Sequence, residues 1–176
     1  MRAICFDLGD TIMDETTEVK DETGTTLRAD LIPGVAELLH ELHRRGCPLA
    51  LVSDSRPYTP INVLRQHGLL ELFEVLAISE VVGVSKPDPR IFLVALNGLG
   101  IPPEAYGHVA MVGNNLERDV AGARRLGMVS VFFQWNTRYR TRPLDPEEVP
   151  DFTVHSAQEL ASLLLSSWDR KQQDWG

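Results

Sequence analysis

Residues that could carry chemistry are grouped at four places in the chain, each close to the end of a short apolar run. The first group, Asp7 to Thr11, contains two carboxylates, a glycine and a hydroxyl. The other groups are the cluster Ser53-Asp54-Ser55, the lysine Lys86, and the segment 113–119 with Asn114, Asn115 and Asp119. Carboxylates can act as nucleophiles, acids, bases or metal ligands, whereas a lysine can neutralise an anion. These groups can form one site if the fold brings the four places together.

The apolar run that ends at Asp7 is typical of a buried strand. Ile4, Cys5 and Phe6 need cover from neighbouring elements, and Gly9 would stop a helix. In an open α/β sheet, ligands bind just beyond the carboxyl ends of the strands. We therefore expect Asp7 to stand at the mouth of a crevice.

Apolar periodicity along the rest of the chain predicts alternating strands and helices. Strands are predicted from residue 3 and at 48–52, 73–78, 109–112, 129–133 and 152–154. Helices are predicted at 35–45, 60–68, 89–99, 117–126 and 157–165, before a polar C-terminal tail at about 167–176. Residues 12–31, rich in Asp, Glu and Thr, read as a surface loop or a small hairpin flap.

This alternation predicts an α/β fold, in which a mainly parallel sheet lies between two layers of helices. No linker divides the chain, so we expect a single domain over 1–176. The right-handed crossover rule places the carboxyl ends of all parallel strands at one edge of the sheet. Asp7, Ser53, Lys86 and the segment 114–119 are therefore expected to face one pocket.

The composition argues against several classes of function. A formal net charge of −8 and a pI near 5.1 are unlike those of a nucleic-acid or anionic-membrane binder, because phosphate backbones require a basic face. Two cysteines, Cys5 and Cys47, are too few for a zinc site, and their contexts indicate packing. No apolar run approaches the length of a membrane span, and we expect no leader because the sequence starts directly into a predicted strand. We expect a cytoplasmic protein.

Taken together and in order, the four groups resemble the four motifs of the haloacid dehalogenase superfamily. The matching stretches are Phe6-Asp7-Leu8-Gly9-Asp10-Thr11, Val52-Ser53, Lys86-Pro87 and Gly113-Asn114-Asn115-Leu116-Glu117-Arg118-Asp119. The resemblance covers about residues 4–131 and implies a Rossmann-like three-layer fold. It also implies phosphoryl transfer from a small phosphate ester through an aspartyl-phosphate, with Asp7 as the nucleophile.

The resemblance further implies a Mg²⁺ ion held by Asp7, the backbone carbonyl of Gly9, and Asn114 or Asp119. A cation is needed there because a carboxylate and a phosphate dianion repel each other, and hard oxygen ligands suit Mg²⁺.

The phosphoryl group itself is expected to meet fixed hydrogen-bond donors. The resemblance implies that Ser53 donates to a phosphoryl oxygen, and that Lys86 neutralises another while holding Asp7. Asp54, directly after the second motif, and Asn115, in the fourth, are further substrate-binding candidates.

Two positions depart from the family pattern. Family phosphatases usually carry an aspartate two residues after the nucleophile, which acts as acid and then as base, but here that residue is Gly9. Asp10 is one residue later, and its role stays open between catalytic acid and loop cap. Asn114 stands where an aspartate is more common, so we expect a weaker, still functional metal site.

The gaps between the motifs leave no room for a cap domain, so the resemblance is to capless members. Their open sites admit large substrates or are closed by a neighbouring subunit, as in a homo-oligomer. The chief alternative is a catalytically weakened domain that binds a phosphate ligand or a protein partner. A dehalogenase is disfavoured because those enzymes normally use a cap. The basic and aromatic stretch 135–142 is most simply a surface loop.

Overall fold

The computed structural model describes the backbone of residues 1–173 and the side chains of residues 1–169. Residues 174–176 of the predicted polar tail lie outside the described residues. None of the helices within the described part combines the length and the hydropathy that crossing a bilayer requires.

Eight strands are present in the described residues: β1 (Ala3–Phe6), β2 (Val19–Lys20), β3 (Thr26–Arg28), β4 (Leu49–Ser53), β5 (Val75–Ile78), β6 (Val109–Gly113), β7 (Val129–Phe133) and β8 (Phe152–Val154). Six of them form one sheet in the order β5-β4-β1-β6-β7-β8, and every neighbouring pair is parallel. The predicted parallel sheet is therefore confirmed, with β1 between β4 and β6.

Six α-helices accompany the strands: α1 (Val35–Arg44), α2 (Tyr58–Gln66), α3 (Ser79–Val82), α4 (Pro89–Gly98), α5 (Ala121–Arg125) and α6 (Ala157–Gln173). The segment predicted as one helix over 117–126 is instead a π-helical turn, Leu116–Val120, that leads into α5. The last helix runs beyond residue 165, because Trp168 is buried in the core and Asp169 pairs with Arg45 at 2.6 Å.

The core lies on both faces of the sheet. Along β1, Ile4 and Phe6 join the apolar cluster that includes α1 and α6, whereas Ala3 and Cys5 join the cluster that includes α4. Side chains alternate between the faces of a strand, so a strand covered on both sides must be apolar throughout. This arrangement confirms the three-layer α/β/α fold.

The flap at 12–31 contains an antiparallel hairpin of β2 and β3. Thr26 fixes it to α2, since its backbone N–H donates to Thr59 Oγ1 (3.0 Å) and its carbonyl accepts from Asn62 Nδ2 (3.0 Å). In the described residues, the stretches between β1 and β4 and between β4 and α4 hold only this hairpin, short helices and β5, with no cap domain.

Both cysteines are buried, and no disulfide joins them. Burial raises the pKa of the Cys5 thiol to about 12, with a smaller contribution from Cys47. Such thiols are inert, which agrees with the packing role predicted for them.

Candidate active site

The ends of the three central strands converge on one cavity. Asp7 follows β1, Ser53 ends β4, and Asn114 follows β6, and all three line a cavity of about 430 Å³. The hairpin flap supplies part of the opposite wall, including Lys20 and Thr26. The predicted pocket beyond the carboxyl ends of the strands is therefore present.

Lys86 lies beneath this cavity and is only 5% exposed. Its ammonium donates to Asp7 Oδ1 (2.7 Å), to Asp119 Oδ1 (2.7 Å) and to the carbonyl of Val52 (2.9 Å). Burial by itself would lower the pKa of Lys86, but the carboxylates of Asp119, Asp7 and Asp54 raise it above its ordinary value. The ammonium therefore stays charged and fixes one oxygen of Asp7.

Asp119 is buried, and both of its oxygens accept hydrogen bonds from the protein. Oδ1 accepts from Lys86, and Oδ2 accepts from the backbone N–H of Asn115 at 2.9 Å. Burial raises the pKa of Asp119 to about 6, against the opposing charge of Lys86. A Cβ at Gly113 would stand 2.3 Å from the Asp119 carboxyl carbon, so only glycine lets Asp119 pack here. Asp119 thus holds Lys86 and the loop after β6, and direct metal ligation by it stays a prediction.

Ser53 and Asp54 both line the cavity, as predicted for substrate-binding residues. Ser53 Oγ donates to Ser55 Oγ at 3.0 Å. Asp54 Oδ1 accepts from the backbone N–H of Lys86 at 2.9 Å, and its Oδ2 lies 3.6 Å from Arg118 Nη1. Asp54 therefore positions the lysine loop, and it brings Arg118, which the sequence analysis did not single out, to the cavity.

Asn115 is placed differently from the other predicted substrate-binding residues. Its Oδ1 accepts from the backbone N–H of Arg118 at 3.0 Å and so caps the π-helical turn. Asn115 is not among the residues that line the Asp7 cavity. Substrate binding by Asn115 stays a prediction.

Asp10 is fully buried and does not line the cavity. Its backbone has φ of 47°, in the left-handed region that aspartate tolerates better than most residues. Its Oδ1 accepts from the backbone N–H of Glu15 at 3.1 Å, and its Oδ2 lies 2.5 Å from Arg138 Nε. The carboxylate of Asp10 thus ties the start of the flap to the loop that carries Arg138.

Glu15 is a cavity residue in the flap, the stretch for which the sequence predicted only a surface loop or a small hairpin. Its side chain lines the cavity and is 25% exposed. A Cβ built on Gly9 would meet Glu15 Oε1 at 2.0 Å, so this carboxylate fills the space above Gly9. Burial, followed by the charges of Asp10 and Asp7, raises the pKa of Glu15 above its ordinary value. Gly9, which has no side chain, was the one feature of the local sequence that indicated this contact.

The loop after β7 reaches the site through two side chains. Tyr139 Oη donates to Glu15 Oε2 at 3.3 Å, and Arg138 Nε lies 3.8 Å from the same oxygen. The guanidinium of Arg118 lies over the Tyr139 ring, 5.3 Å from its centroid. The stretch 135–142 was predicted to be a surface loop, and it also carries these two contacts to the flap.

The same loop is held by a buried carboxylate, Glu148. Arg140 donates to it through two guanidinium nitrogens, at 2.5 and 2.7 Å, and the backbone N–H of Leu144 donates at 2.6 Å. These hydrogen bonds lower the pKa of Glu148 to about 2. The pair therefore stabilises the folded loop only while Glu148 is ionised.

We expect Glu148→Gln to lower the thermal unfolding temperature at pH 7 and to have less effect in acid. Because the pKa of Glu148 is lower in the folded than in the unfolded chain, its stabilisation is present above about pH 5 and is lost towards pH 2. Thermal melts of both proteins between pH 7 and pH 3 measure the difference. A gap that stays constant over this range would contradict the assignment.

A divalent metal would need a mixed set of donors here. Among the side chains that the structure describes, those of residues 1–169, no three of His, Cys, Asp or Glu are placed to hold a metal ion. Asp7, Gly9 and Asn114, which line the cavity, each carry an oxygen atom that could bind a metal ion. The buried Asn114 Nδ2 has no hydrogen-bond partner in the described part of the chain. This amide N–H group can donate to a bound oxygen, such as a water or a phosphoryl oxygen, whereas only the amide oxygen of Asn114 could bind a metal ion.

Comparison with known proteins agrees with this fold. The sequence profile of haloacid dehalogenase-like hydrolases matches residues 23–127. The chain therefore belongs to the haloacid dehalogenase-like hydrolase family, as the four motifs predicted.

Two curated relatives are phosphatases by name. The chain is 41% identical over 133 residues to the phosphoserine phosphatase of Thermus thermophilus, an alignment covering 76% of this chain and 51% of that protein. It is 33% identical over 132 residues to the glyceraldehyde 3-phosphate phosphatase of Methanopyrus kandleri, covering 75% and 55%. The chain thus spans about half the length of these curated relatives.

Solved structures share the fold at lower identity. A HAD phosphatase from Thermococcus onnurineus superimposes with a TM-score of 0.75 at 22% identity, covering 93% of this chain and 98% of that one. A 2-haloacid dehalogenase from Pseudomonas syringae gives a TM-score of 0.64 at 24% identity, covering 80% and 55%. Phosphatases and dehalogenases share this architecture, so the superpositions establish the fold alone.

Proposed function

We propose that this protein is a phosphatase that hydrolyses small phosphomonoesters through an aspartyl-phosphate on Asp7. The observation that carries the proposal is the carboxylate of Asp7 at the cavity wall, with one oxygen bound to the buried ammonium of Lys86 at 2.7 Å. The phosphatase names of the curated relatives support the same reaction class. The physiological ester, the cytoplasmic location and a single-domain organisation stay predictions.

The chain's own residues suit the first step, in which a new bond forms between Asp7 and phosphorus. Lys86 prevents rotation of the Asp7 carboxylate and places a positive charge beside the incoming phosphoryl group. Ser53 Oγ faces the cavity and can redirect its proton from Ser55 to a phosphoryl oxygen. Fixed donors of this kind stabilise the transition state without reorganisation.

Mg²⁺ is the metal that we propose for this site. Asp7, the carbonyl of Gly9 and the side-chain oxygen of Asn114 would hold it, with Asp119 as a ligand only if it gives up a hydrogen bond. When bound, the ion offsets the repulsion between carboxylate and phosphate and polarises the phosphoryl group. Hard oxygen donors together with bound waters suit this ion.

An assay with an aryl phosphate, with and without Mg²⁺, tests the proposal. We expect chelation to lower the turnover by at least ~10²-fold and added Mg²⁺ to restore it. Mg²⁺ should also raise the thermal unfolding temperature, since a ligand that binds only the folded state stabilises it.

Asn114→Asp provides a matched control for this assay. The added negative charge should lower the Mg²⁺ concentration needed for half-maximal activity, because Coulomb attraction to the ion increases. Equal activity with and without metal would contradict the metal assignment. Absence of turnover on a broad panel of phosphate esters, with retained ligand binding, would favour a catalytically weakened binding domain.

A further inference from the structure

The proposed reaction needs a proton donor and acceptor that Asp7 and Lys86 do not supply. The leaving oxygen of the ester must take up a proton, and the water that hydrolyses the aspartyl-phosphate must lose one. A carboxyl group is suited to both tasks if it lies in the cavity. The carboxylates that line the cavity, besides Asp7, are those of Glu15, Glu18, Asp54 and Glu80.

Two of these groups have both oxygens close to protein partners. Glu18 accepts from Thr26 Oγ1 at 2.6 Å and pairs with Lys20 at 2.9 Å. Asp54 Oδ1 accepts from the backbone N–H of Lys86, and its Oδ2 accepts no hydrogen bond from the described residues but lies 3.6 Å from the Arg118 guanidinium. Glu80 has no such partner among the described residues, but it is exposed at the start of α3.

Glu15 differs because of its relation to Gly9. Oε1 of Glu15 lies 2.0 Å from the position that a Cβ of residue 9 would occupy, and its carboxyl carbon lies 2.9 Å from it. Residues two apart in an extended chain point to the same side, so a side chain at residue 9 would lie beside Asp7. The carboxylate of Glu15 thus reaches, from the flap, the volume next to the nucleophile that the glycine leaves open.

Neighbouring protein groups bind one oxygen of this carboxylate, Oε2, and leave Oε1 able to contact a ligand in the cavity. Oε2 accepts from Tyr139 Oη at 3.3 Å, and Asp10 anchors the Glu15 backbone N–H at 3.1 Å. Among the residues whose side chains the structure describes, none donates a hydrogen bond to Oε1, whereas Oε2 has Tyr139 and Arg138 nearby. A carboxyl group oriented in this way can exchange a proton with a cavity ligand through Oε1.

From this geometry, we propose that Glu15 is the general acid and base of the reaction, acting from the position above Gly9. The inference rests on the proposed function. In the first step the bond between Asp7 and phosphorus forms, the bond to the ester oxygen breaks, and Glu15 gives its proton to that oxygen. In the second step water attacks phosphorus and gives a proton back to Glu15, and the bond to Asp7 breaks.

The test compares Glu15→Gln with the wild type on two substrates that differ in their leaving group. An alkyl phosphate needs protonation of its leaving oxygen, so its kcat/KM should fall by ~10²–10⁴-fold. Dinitrophenyl phosphate has a stable leaving anion, so its kcat/KM should fall less than about 10-fold. Its release should show a burst of one equivalent followed by a slow phase, because hydrolysis of the aspartyl-phosphate has lost its base.

Controls separate this inference from the proposed function. Glu22→Gln, at an exposed glutamate of the flap that does not line the cavity, should match the wild type on both substrates. In a Glu15→Ala background, Gly9→Asp should recover alkyl phosphate hydrolysis by at least about 10-fold, since the carboxylate returns to the same volume from the strand side.

Equal losses on the two substrates without a burst, or wild-type kinetics of Glu15→Gln, would overturn the inference. So would a Gly9→Asp/Glu15→Ala protein no more active on the alkyl phosphate than Glu15→Ala. If one of these results is obtained and Asp7→Asn is inactive, the proposed function stands and only the role of Glu15 fails. If Asp7→Asn is active, the proposed function itself fails.

Discussion

Asp7→Asn is expected to lower phosphomonoester turnover by at least about 10⁴-fold, because a carboxamide is a poor nucleophile toward phosphorus. The substitution keeps the shape of the side chain, and its carbonyl oxygen can still accept from Lys86. Lys86 also keeps its bonds to Asp119 and to the Val52 carbonyl, so the fold should survive. The loss should therefore appear in kcat at near-normal thermal stability.

The measurement is steady-state hydrolysis of an aryl phosphate together with acid-quench trapping of the phosphorylated protein. The wild type should yield a phosphorylated peptide that contains Asp7, and Asp7→Asn should yield none. Asp30→Asn, a matched change at an exposed aspartate of the flap, should leave turnover unaltered. Turnover by purified Asp7→Asn within tenfold of the wild type would refute a covalent mechanism on this residue.

Lys86→Met is expected to destabilise the protein by about 3–5 kcal/mol, the cost of leaving buried charges without their partner. Lys86 binds Asp7 and Asp119 at 2.7 Å each, and its own side chain is 2% exposed. Without the ammonium, two carboxylates would face each other across the vacated space. For a chain of this size, the thermal unfolding temperature should fall by roughly 6–20 °C.

Calorimetry or thermal melts at pH 7 measure this effect. Lys20→Met is the matched control, because Lys20 is 49% exposed and its ion pair with Glu18 should contribute at most about 1 kcal/mol. Adding Asp119→Asn to Lys86→Met should recover part of the loss, since one of the two uncompensated charges is removed. A Lys86→Met protein as stable as Lys20→Met would show that the buried ion pairs do not stabilise the fold.

The layered fold was predictable because each strand must be covered on both faces. The apolar runs at β1, β4 and β6 therefore indicate buried strands without reference to distant residues. Helix ends were less predictable. The turn at Leu116–Val120 takes a π-helical form where the periodicity indicated an ordinary helix, and α6 extends through contacts with Arg45 that no local pattern indicates.

Asp7, Ser53 and Asn114, which the strand ends place together, are predictable from the amino-acid sequence, as is Lys86 in the loop between α3 and α4. Their convergence follows from the handedness of parallel crossovers, which is a general rule of α/β folds. Asp10 was harder to assign, because its direction depends on a left-handed backbone and on Arg138, which is distant in the sequence.

The sequence alone determined the class of fold, the family and the edge of the sheet at which the site lies, because apolar runs and strand-end motifs are local features. The tertiary structure alone decided which carboxylate stands above Gly9. Glu15 reaches that place through a flap anchored by Asp10 and by the loop that carries Tyr139. Glu15 and Tyr139 are far apart in the chain, so their contact depends on how the flap and the loop after β7 pack, and no spacing in the sequence encodes it.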